Sequence, residues 1–271
     1  MKPLTFTLRQ RPEQRLDLSP LVPHLLAGKT AAQIERIELQ TTRVRVDVGE
    51  IFRLRMGDAG RLRIEGASER FDRVGEGMTA GEIVVEGNVG ICAGRLMRGG
   101  RLTLRGDAGP WAASGMKGGV IEIVGAVDDH LGGPLAGEMA GMRGGTVVVR
   151  GRAGERAGDR MRRGTIIIEG EAGAYAGSRM IAGTLIVRRK AGPLPGFLMK
   201  RGTVILGEGS TAMSPTFLDC GAHELLAMRL WAALIEPYSK PVAAQLRRPL
   251  RRFAGDMAIL GKGEIFIGNR N

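Results

Sequence analysis

The sequence predicts an all-β fold: a right-handed parallel β-helix of about 19 residues per coil, with short α-helical elements at the N- and C-terminal ends. Three observations predict it. Met78, Met97, Met116, Met142, Met161, Met180 and Met199 recur at intervals of 19, 19, 26, 19, 19 and 19 residues. A glycine stands three residues after each methionine, from Gly81 to Gly202, and a short aliphatic alternation follows it. Equivalent positions are too close together to leave room for a helix, so each unit holds strands and corners only. Nineteen is not a multiple of six, which disfavours a left-handed hexapeptide helix.

The unit has an interior and an exterior. Five residues after the methionines stand Ile83, Leu102, Ile121, Val147, Ile166, Leu185 and Val204. Seven residues after them stand Val85, Leu104, Ile123, Val149, Ile168, Val187 and Leu206. The position between admits Val84, Thr103, Glu122, Val148 and Ile167. Two aliphatic rows flanking a tolerant one describe strands with one buried face. The glycines fit corners needing positive φ or close approach of coils, and the methionine fills a core corner with a flexible side chain.

Three segments are expected: 1–41, 42–207 and 208–271. In the first, residues 2–9 alternate as a strand, and Ser19 and Pro20 open a helix that Gly28 stops. Gly28-Lys29-Thr30 lacks the context of a phosphate loop, and residues 31–39 form a short amphipathic segment or a helix running into a strand. Alternations at Val44–Val48, Phe52–Met56 and Arg61–Gly66 predict one or two imperfect leading coils. After Gly207 an apolar-periodic helix is predicted over His223–Ile235, ended by Pro237. The basic tail Arg247–Phe253 runs into Gly255–Ile267, read as two strands around a glycine turn.

Composition excludes several classes. The 43 glycines among 271 residues follow no Gly-X-Y period, and there are only 12 prolines, so collagen is excluded. Cys92 and Cys220, the two cysteines, supply neither a disulfide framework nor a metal ligand set. No signal-like N-terminus and no membrane-length apolar run is evident, so a cytoplasmic protein is expected. His24, His130 and His223 lie in different segments, without the spacing of a metal or catalytic motif. The 26-residue interval implies a seven-residue insertion, placed near Val127–Gly132. Its Asp128-Asp129-His130 admits a catalytic role, or a polar loop that touches a partner.

A net charge of +12 predicts an anionic partner. The residues following the methionines include Arg98, Lys117, Arg143, Arg162 and Lys200, which stacking would align into one cationic row. Those closing the strands, Glu86, Arg105, Val124, Arg150, Glu169, Arg188 and Gly207, alternate in sign and can neutralise one another. The first row either splays into solvent or holds a polyanion or an acidic face of a partner. Only 4% of residues are aromatic, so nucleic acid is disfavoured.

These seven units resemble the GXGXG β-helix found in glutamate synthase large subunits and in the C subunit of formylmethanofuran dehydrogenase. Chain length favours the second, and Arg251-Arg252-Phe253-Ala254-Gly255-Asp256 with Gly261-Lys262-Gly263-Glu264-Ile265 resembles that subunit's ending. The arginine-rich, cysteine-poor chain is most similar to the bacterial version, in formyltransferase/hydrolase complexes. This resemblance implies a non-catalytic structural subunit. Its complex would move a formyl group from formyl-tetrahydromethanopterin to a methanofuran-type carrier and hydrolyse it to formate. It implies amidohydrolase-like, formyltransferase and further sister subunits, with neither catalytic residue, metal nor cofactor on this chain, and neither nucleic acid nor membrane as partner. The carrier's glutamate-rich tail is a candidate for the cationic row. The alternatives are the C subunit of a tungsten or molybdenum formylmethanofuran dehydrogenase, and a stand-alone polyanion-binding β-helix.

Overall fold

The computed structural model describes residues 2–41 and 43–268, so Thr42, at the expected start of the second segment, lies outside the described residues. The N-terminal elements are β1 (Pro3–Leu8), β2 (Leu16–Asp17), α1 (Pro23–Leu26), α2 (Ala31–Glu35), β3 (Glu38–Leu39), β4 (Val46–Asp47), α3 (Val48–Ile51) and β5 (Phe52–Arg55). The strands β6 (Asp58–Ala67), β7 (Phe71–Asp72), β8 (Glu82–Gly87), β9 (Arg101–Leu104) and β10 (Val120–Ile123) follow. Next come β11 (Arg143–Val149), β12 (Arg163–Ile168), β13 (Thr184–Val187) and β14 (Arg201–Leu206). The chain closes with β15 (Leu218–His223), α4 (Leu226–Ile235), α5 (Lys240–Leu246), β16 (Leu250–Gly255) and β17 (Lys262–Gly268).

The protein is mostly sheet. One mixed sheet of 13 strands runs in the order β15-β16-β17-β14-β13-β12-β11-β10-β9-β8-β6-β1-β5. From β8 to β14 its neighbours are parallel and consecutive in sequence. Ile166 pairs with Leu185, which pairs with Val204. A second line of single parallel bridges joins Val89, Ala108, Val127, Ala153, Ala172, Ala191 and Ser210. Each coil therefore meets the next along two lines. Both predicted aliphatic rows are fully buried between them.

The Met-x-x-Gly spacing is an interlock between coils. All seven methionines are fully buried. At Gly164, φ is +98°, and a Cβ would stand 2.7 Å from Gly145 O and 2.9 Å from the Met142 Cε methyl. The same geometry sets Met97 Cε 2.7 Å from a Cβ at Gly119, and Met161 Cε 3.0 Å from one at Gly183. Each methionine thus roofs the glycine corner of the following coil, where a β-carbon would collide and be strained.

Several end elements depart from the sequence reading. Ser19 and Pro20 lie in a turn, where the Asp17 carboxylate accepts the Ser19 N–H, and the helix begins at Pro23. Gly28 does follow it, at φ +77°, and Thr30 then forms a capping box with Gln33 to open α2. Helix α2 runs on into β3. The alternation at Val44–Met56 forms no coil: β5 pairs antiparallel with β1, β1 runs parallel to β6, and the stack of consecutive strands starts at β6, where Leu62 pairs with Ile83. Phe6, Phe52 and Phe71 close this end with ring centroids 5.9 and 5.6 Å apart.

At the other end, His223 belongs to a strand, and α4 starts at Leu226 and ends before Pro237. Ser239 caps α5, a helix the periodicity did not reveal. The basic tail forms β16, while Asp256–Gly261 makes the turn into β17. Arg251 is paired with Asp219 and Arg252 with Glu264, so a run of like charge in sequence is neutralised across strands. Helices α4 and α5 bury Met228, Ala232, Ile235, Val242 and Ala243 against Val148, Ile167, Ile186 and Ile205, on the outer face of β11 to β14.

Candidate functional site

The cationic row is built by the interlock itself. Once a methionine is buried, the corner turns its successor outward, and that successor's N–H donates to the methionine carbonyl one coil earlier. Arg98 bonds Met78 at 2.8 Å, Lys117 bonds Met97 at 2.7 Å, Arg143 bonds Met116 at 2.6 Å and Arg162 bonds Met142 at 2.8 Å. Ile181 and Lys200 continue the line at 2.8 Å each, so the backbone line from Arg98 to Lys200 is continuous and its run of charge is interrupted once, at Ile181. All five cationic side chains are exposed, and among the described residues none meets a carboxylate within 4.0 Å.

The strand starts widen the row. Arg101, Arg163 and Arg201 open β9, β12 and β14 with exposed side chains, and Arg201 pairs in register with Lys262. Sequence reasoning missed these residues because they stand at two different places in the unit. Arg101 lies four residues after its methionine, Arg163 and Arg201 two after theirs, and neither place is cationic in every unit. The strand-closing row behaves oppositely. Arg150 bonds Glu169 at 2.6 Å, Glu122 at 2.7 Å and the Tyr238 carbonyl at 2.8 Å. Burial opposes its charge, but these hydrogen bonds outweigh burial and raise the Arg150 guanidinium above its ordinary value.

The extra residues of the fourth unit lie elsewhere than predicted. His130 occupies a regular coil position: its N–H bonds Glu155 O, as Trp111 N–H bonds Asp129 O one coil earlier. The Met161 N–H bonds Gly158 O, three residues back, but the Met142 N–H bonds Gly132 O, ten residues back. The insertion therefore lies between Gly132 and Met142, where the sequence offered no glycine-methionine register to follow. Glu138 pins it to Arg95 at 2.5 Å, and Arg95 also bonds Glu76 at 2.8 Å. Burial works against that guanidinium, but both carboxylates hold it above its ordinary value.

Asp129 and its neighbours serve the backbone. Asp129 Oδ1 accepts the Glu155 N–H at 2.7 Å, and Asp107 Oδ1 accepts that of Ala126 at 2.7 Å. They line an open groove of about 630 Å³ above the bridge line of small residues. The His130 ring stacks on Trp111 at 5.5 Å and 10°, with Nδ1 buried and unpaired. Arg156 lies 4.8 Å over the Tyr175 ring. These stacked pairs were not legible, since their position holds Arg73, Cys92, Trp111, His130, Arg156, Tyr175 and Leu194 in successive units. Burial pushes the Cys92 thiol up. Among the described residues no group of three histidine, cysteine or acidic side chains is placed to hold a metal ion, and no helix is long and apolar enough to cross a membrane.

A scan against protein-family models finds no match. Among individual proteins, the chain is 43% identical over 263 residues to the C subunit of the formyltransferase/hydrolase complex Fhc of Methylorubrum extorquens, covering 97% of this chain and 98% of that one. The chain belongs to the family of that C subunit. A crystal structure of the FhcABCD complex from the same organism, with methylofuran, contains a chain matching at TM-score 0.94 and 41% identity, over 98% of this chain and 100% of that one. The C subunit of the tungsten-containing formylmethanofuran dehydrogenase 2 of Methanothermobacter wolfeii is 35% identical, over 99 residues only, or 35% of this chain and 37% of that one. Family likeness to the bacterial protein thus extends over the coils and both ends.

Proposed function

We propose that this chain is the C subunit of a formyltransferase/hydrolase complex and acts there as a non-catalytic, right-handed β-helical scaffold, in the cytoplasm. Its complex transfers a formyl group from formyl-tetrahydromethanopterin to a methanofuran-type carrier and hydrolyses it to formate, with both reacting centres on sister subunits. The likeness to the bacterial protein over nearly the full length carries this reading. The shorter likeness to the tungsten enzyme makes the dehydrogenase the weaker alternative. Parallel pairing along two lines of each coil supports the helical winding. The division into 1–41, 42–207 and 208–271 then separates an N-terminal cap, the coils and a C-terminal helix and hairpin.

The row Arg98–Lys117–Arg143–Arg162–Lys200 is the carrier's track in this reading. An extended glutamate chain rises at most about 3.6 Å per residue, and coils repeat every ~4.8 Å, so such a tail can run along the row without a sharp turn. Exposed, unpaired cations steer and hold an anion at long range, with strength that falls as salt rises. The test is the pair Arg143→Glu with Arg162→Glu in the assembled complex. KM for the carrier is expected to rise roughly three- to tenfold at low ionic strength, with kcat retained and the difference shrinking as salt is added. Unchanged KM and unchanged assembly would discard the track. Metal analysis tests the alternative, since stoichiometric tungsten or molybdenum with iron would favour the dehydrogenase.

A further inference from the structure

The open groove above the small-residue bridge line is acidic in a basic chain. Lysine and arginine number 40 against 28 acidic residues. Yet the coils line this groove with Asp107, Asp128, Asp129, Glu155 and Glu171, against a single coil-borne cation, Arg152, among the described residues. All five carboxylates are exposed, and among the described residues none meets a cation within 4.0 Å. The first coil shows what such a wall takes. Asp72 and Asp129 hold the same coil position, three coils apart. Asp72 Oδ1 accepts the Ile91 N–H at 2.9 Å and Asp129 Oδ1 accepts the Glu155 N–H at 2.7 Å, each from the coil that follows. At Asp72 the other oxygen, Oδ2, accepts from Arg15 Nε at 2.6 Å, and Arg15 lines the groove. That arginine belongs to an extended segment beside the first coil, where Leu16 pairs in parallel with Phe71 and Arg11 pairs with Glu69. Asp129 carries the same fixed carboxylate, with Oδ2 free of protein partners among the described residues.

We propose that the groove seats an extended segment of a sister subunit, rich in lysine or arginine, whose cations meet these carboxylates as Arg15 meets Asp72. The inference rests on the reading of this chain as one member of a hetero-oligomer. Asp107, Asp128, Glu155 and Glu171 come from four consecutive coils, a span of ~14 Å, which about five extended residues cover. Alternate side chains of such a segment face the same way, ~6.6 Å apart, within reach of successive carboxylates for long, flexible cations. Ala108, Ala153 and Ala172 give a floor that no long side chain obstructs. A second copy of this chain fits less well. Its cationic row follows the methionines by one residue, whereas the groove lies ten to thirteen residues after them, at another corner of the coil. Each such pairing would leave a free row and a free groove, so the contact would propagate instead of closing.

The test is carboxyl labelling of the assembled complex with a carbodiimide and glycine ethyl ester, read residue by residue by mass spectrometry. Asp128, Glu155 and Glu171 are expected to label at least tenfold more slowly than Glu50 and Glu208, which are exposed away from the groove, and to catch up as salt is raised. With the ester left out, lysines of the seated segment are expected to cross-link to the same carboxylates. A variant gives a second readout. The Asp128 and Glu155 carboxylates form no hydrogen bond or ion pair among the described residues. Asp128→Lys with Glu155→Lys is therefore expected to melt at the wild-type temperature but to release one sister subunit at a salt concentration at least threefold lower. Glu50→Lys with Glu208→Lys is expected to keep its partners. Groove carboxylates that label as fast as Glu50 in the intact complex overturn the proposal. So do cross-links to Lys117 or Lys200 of a second copy, and so does protection that dialysis removes without loss of a subunit, which marks a small organic cation. A wild-type chain that brings down no sister subunit overturns the reading of this chain as part of a complex, which keeps the two failures apart.

Discussion

The outer face of the long sheet changes character halfway along, although the coils beneath do not. In the first half the outward positions are Arg63, Val84, Thr103 and Glu122, all half-exposed. In the second half they are Val148, Ile167, Ile186 and Ile205, at 2%, 0%, 1% and 2% exposure, roofed by α4 and α5. Inward rows, glycine corners and methionines are the same in both halves. What repeats builds the stack, and what fails to repeat records what each part of the stack touches.

The largest test of that contrast exchanges a charge into each half. Ile167→Asp buries a carboxylate beneath α4 and α5 and is expected to cost more than about 4 kcal/mol, or to release both helices. Val84→Asp places the same group beside Arg63, its partner in register, and is expected to cost no more than ~0.5 kcal/mol. Denaturant melts and proteolysis at Leu226–Leu246 measure both, and equal losses would erase the distinction. Next in size is the interlock. Met161→Ala empties a fully buried corner and should cost about 3 kcal/mol, whereas Met139→Ala, at 82% exposure on the inserted loop, should stay within ~0.5 kcal/mol.

The rung-closing row repeats the contrast more weakly. In the first half Arg105 reaches Glu86 at 3.5 Å with 58% of its side chain exposed. In the second, Arg150 joins Glu122 and Glu169 and holds the Tyr238 carbonyl, while Glu169 also accepts the Ser239 hydroxyl that caps α5. Arg150→Ala is expected to cost about 1–2 kcal/mol, and Arg105→Ala to remain within ~0.5 kcal/mol. A melt in which both variants match the wild type would show that Arg150 does not fasten the helices.

Legibility followed the same division. The seven-fold period carried the inward rows, the corners and the alignment of Arg98 with Lys117, Arg143 and Arg162, because in a stack one sequence offset is one place in space. The end elements lacked a second copy to compare. His223 continued an apolar pattern that a helix and an edge strand both satisfy, and only pairing with Leu250 decides for the strand. The insertion was misplaced for a related reason: two coil boundaries gave its length, but only the bond from Met142 to Gly132 gives its position. Arg163 and Arg201, which broaden the cationic row, stand where other units carry glycine or alanine. They became visible only once the rows were assembled.

The smallest effects are titrations of opposite sign at the two ends of the stack. Near the first coils, burial raises the Cys92 thiol above its ordinary value of 9.0. Below that pH both states hold the proton. Above it the unfolded chain ionises while the folded chain resists, so stability falls as pH rises. At the far end, hydrogen bonds from Arg251 and from the Gly221 N–H lower the Asp219 carboxylate below its ordinary value of 3.8. The pairing of β15 with β16 is therefore supported above that pH and weakens as pH falls through the lowered value. Cys92→Ala should flatten the wild-type decline above about pH 9, and Asp219→Asn the decline below about pH 4, each read as a difference between variant and wild-type melts. If Cys92→Ala leaves the alkaline slope untouched, the thiol is not sealed by the coils around it. The first half of the stack would then be looser than its fully buried aliphatic rows indicate.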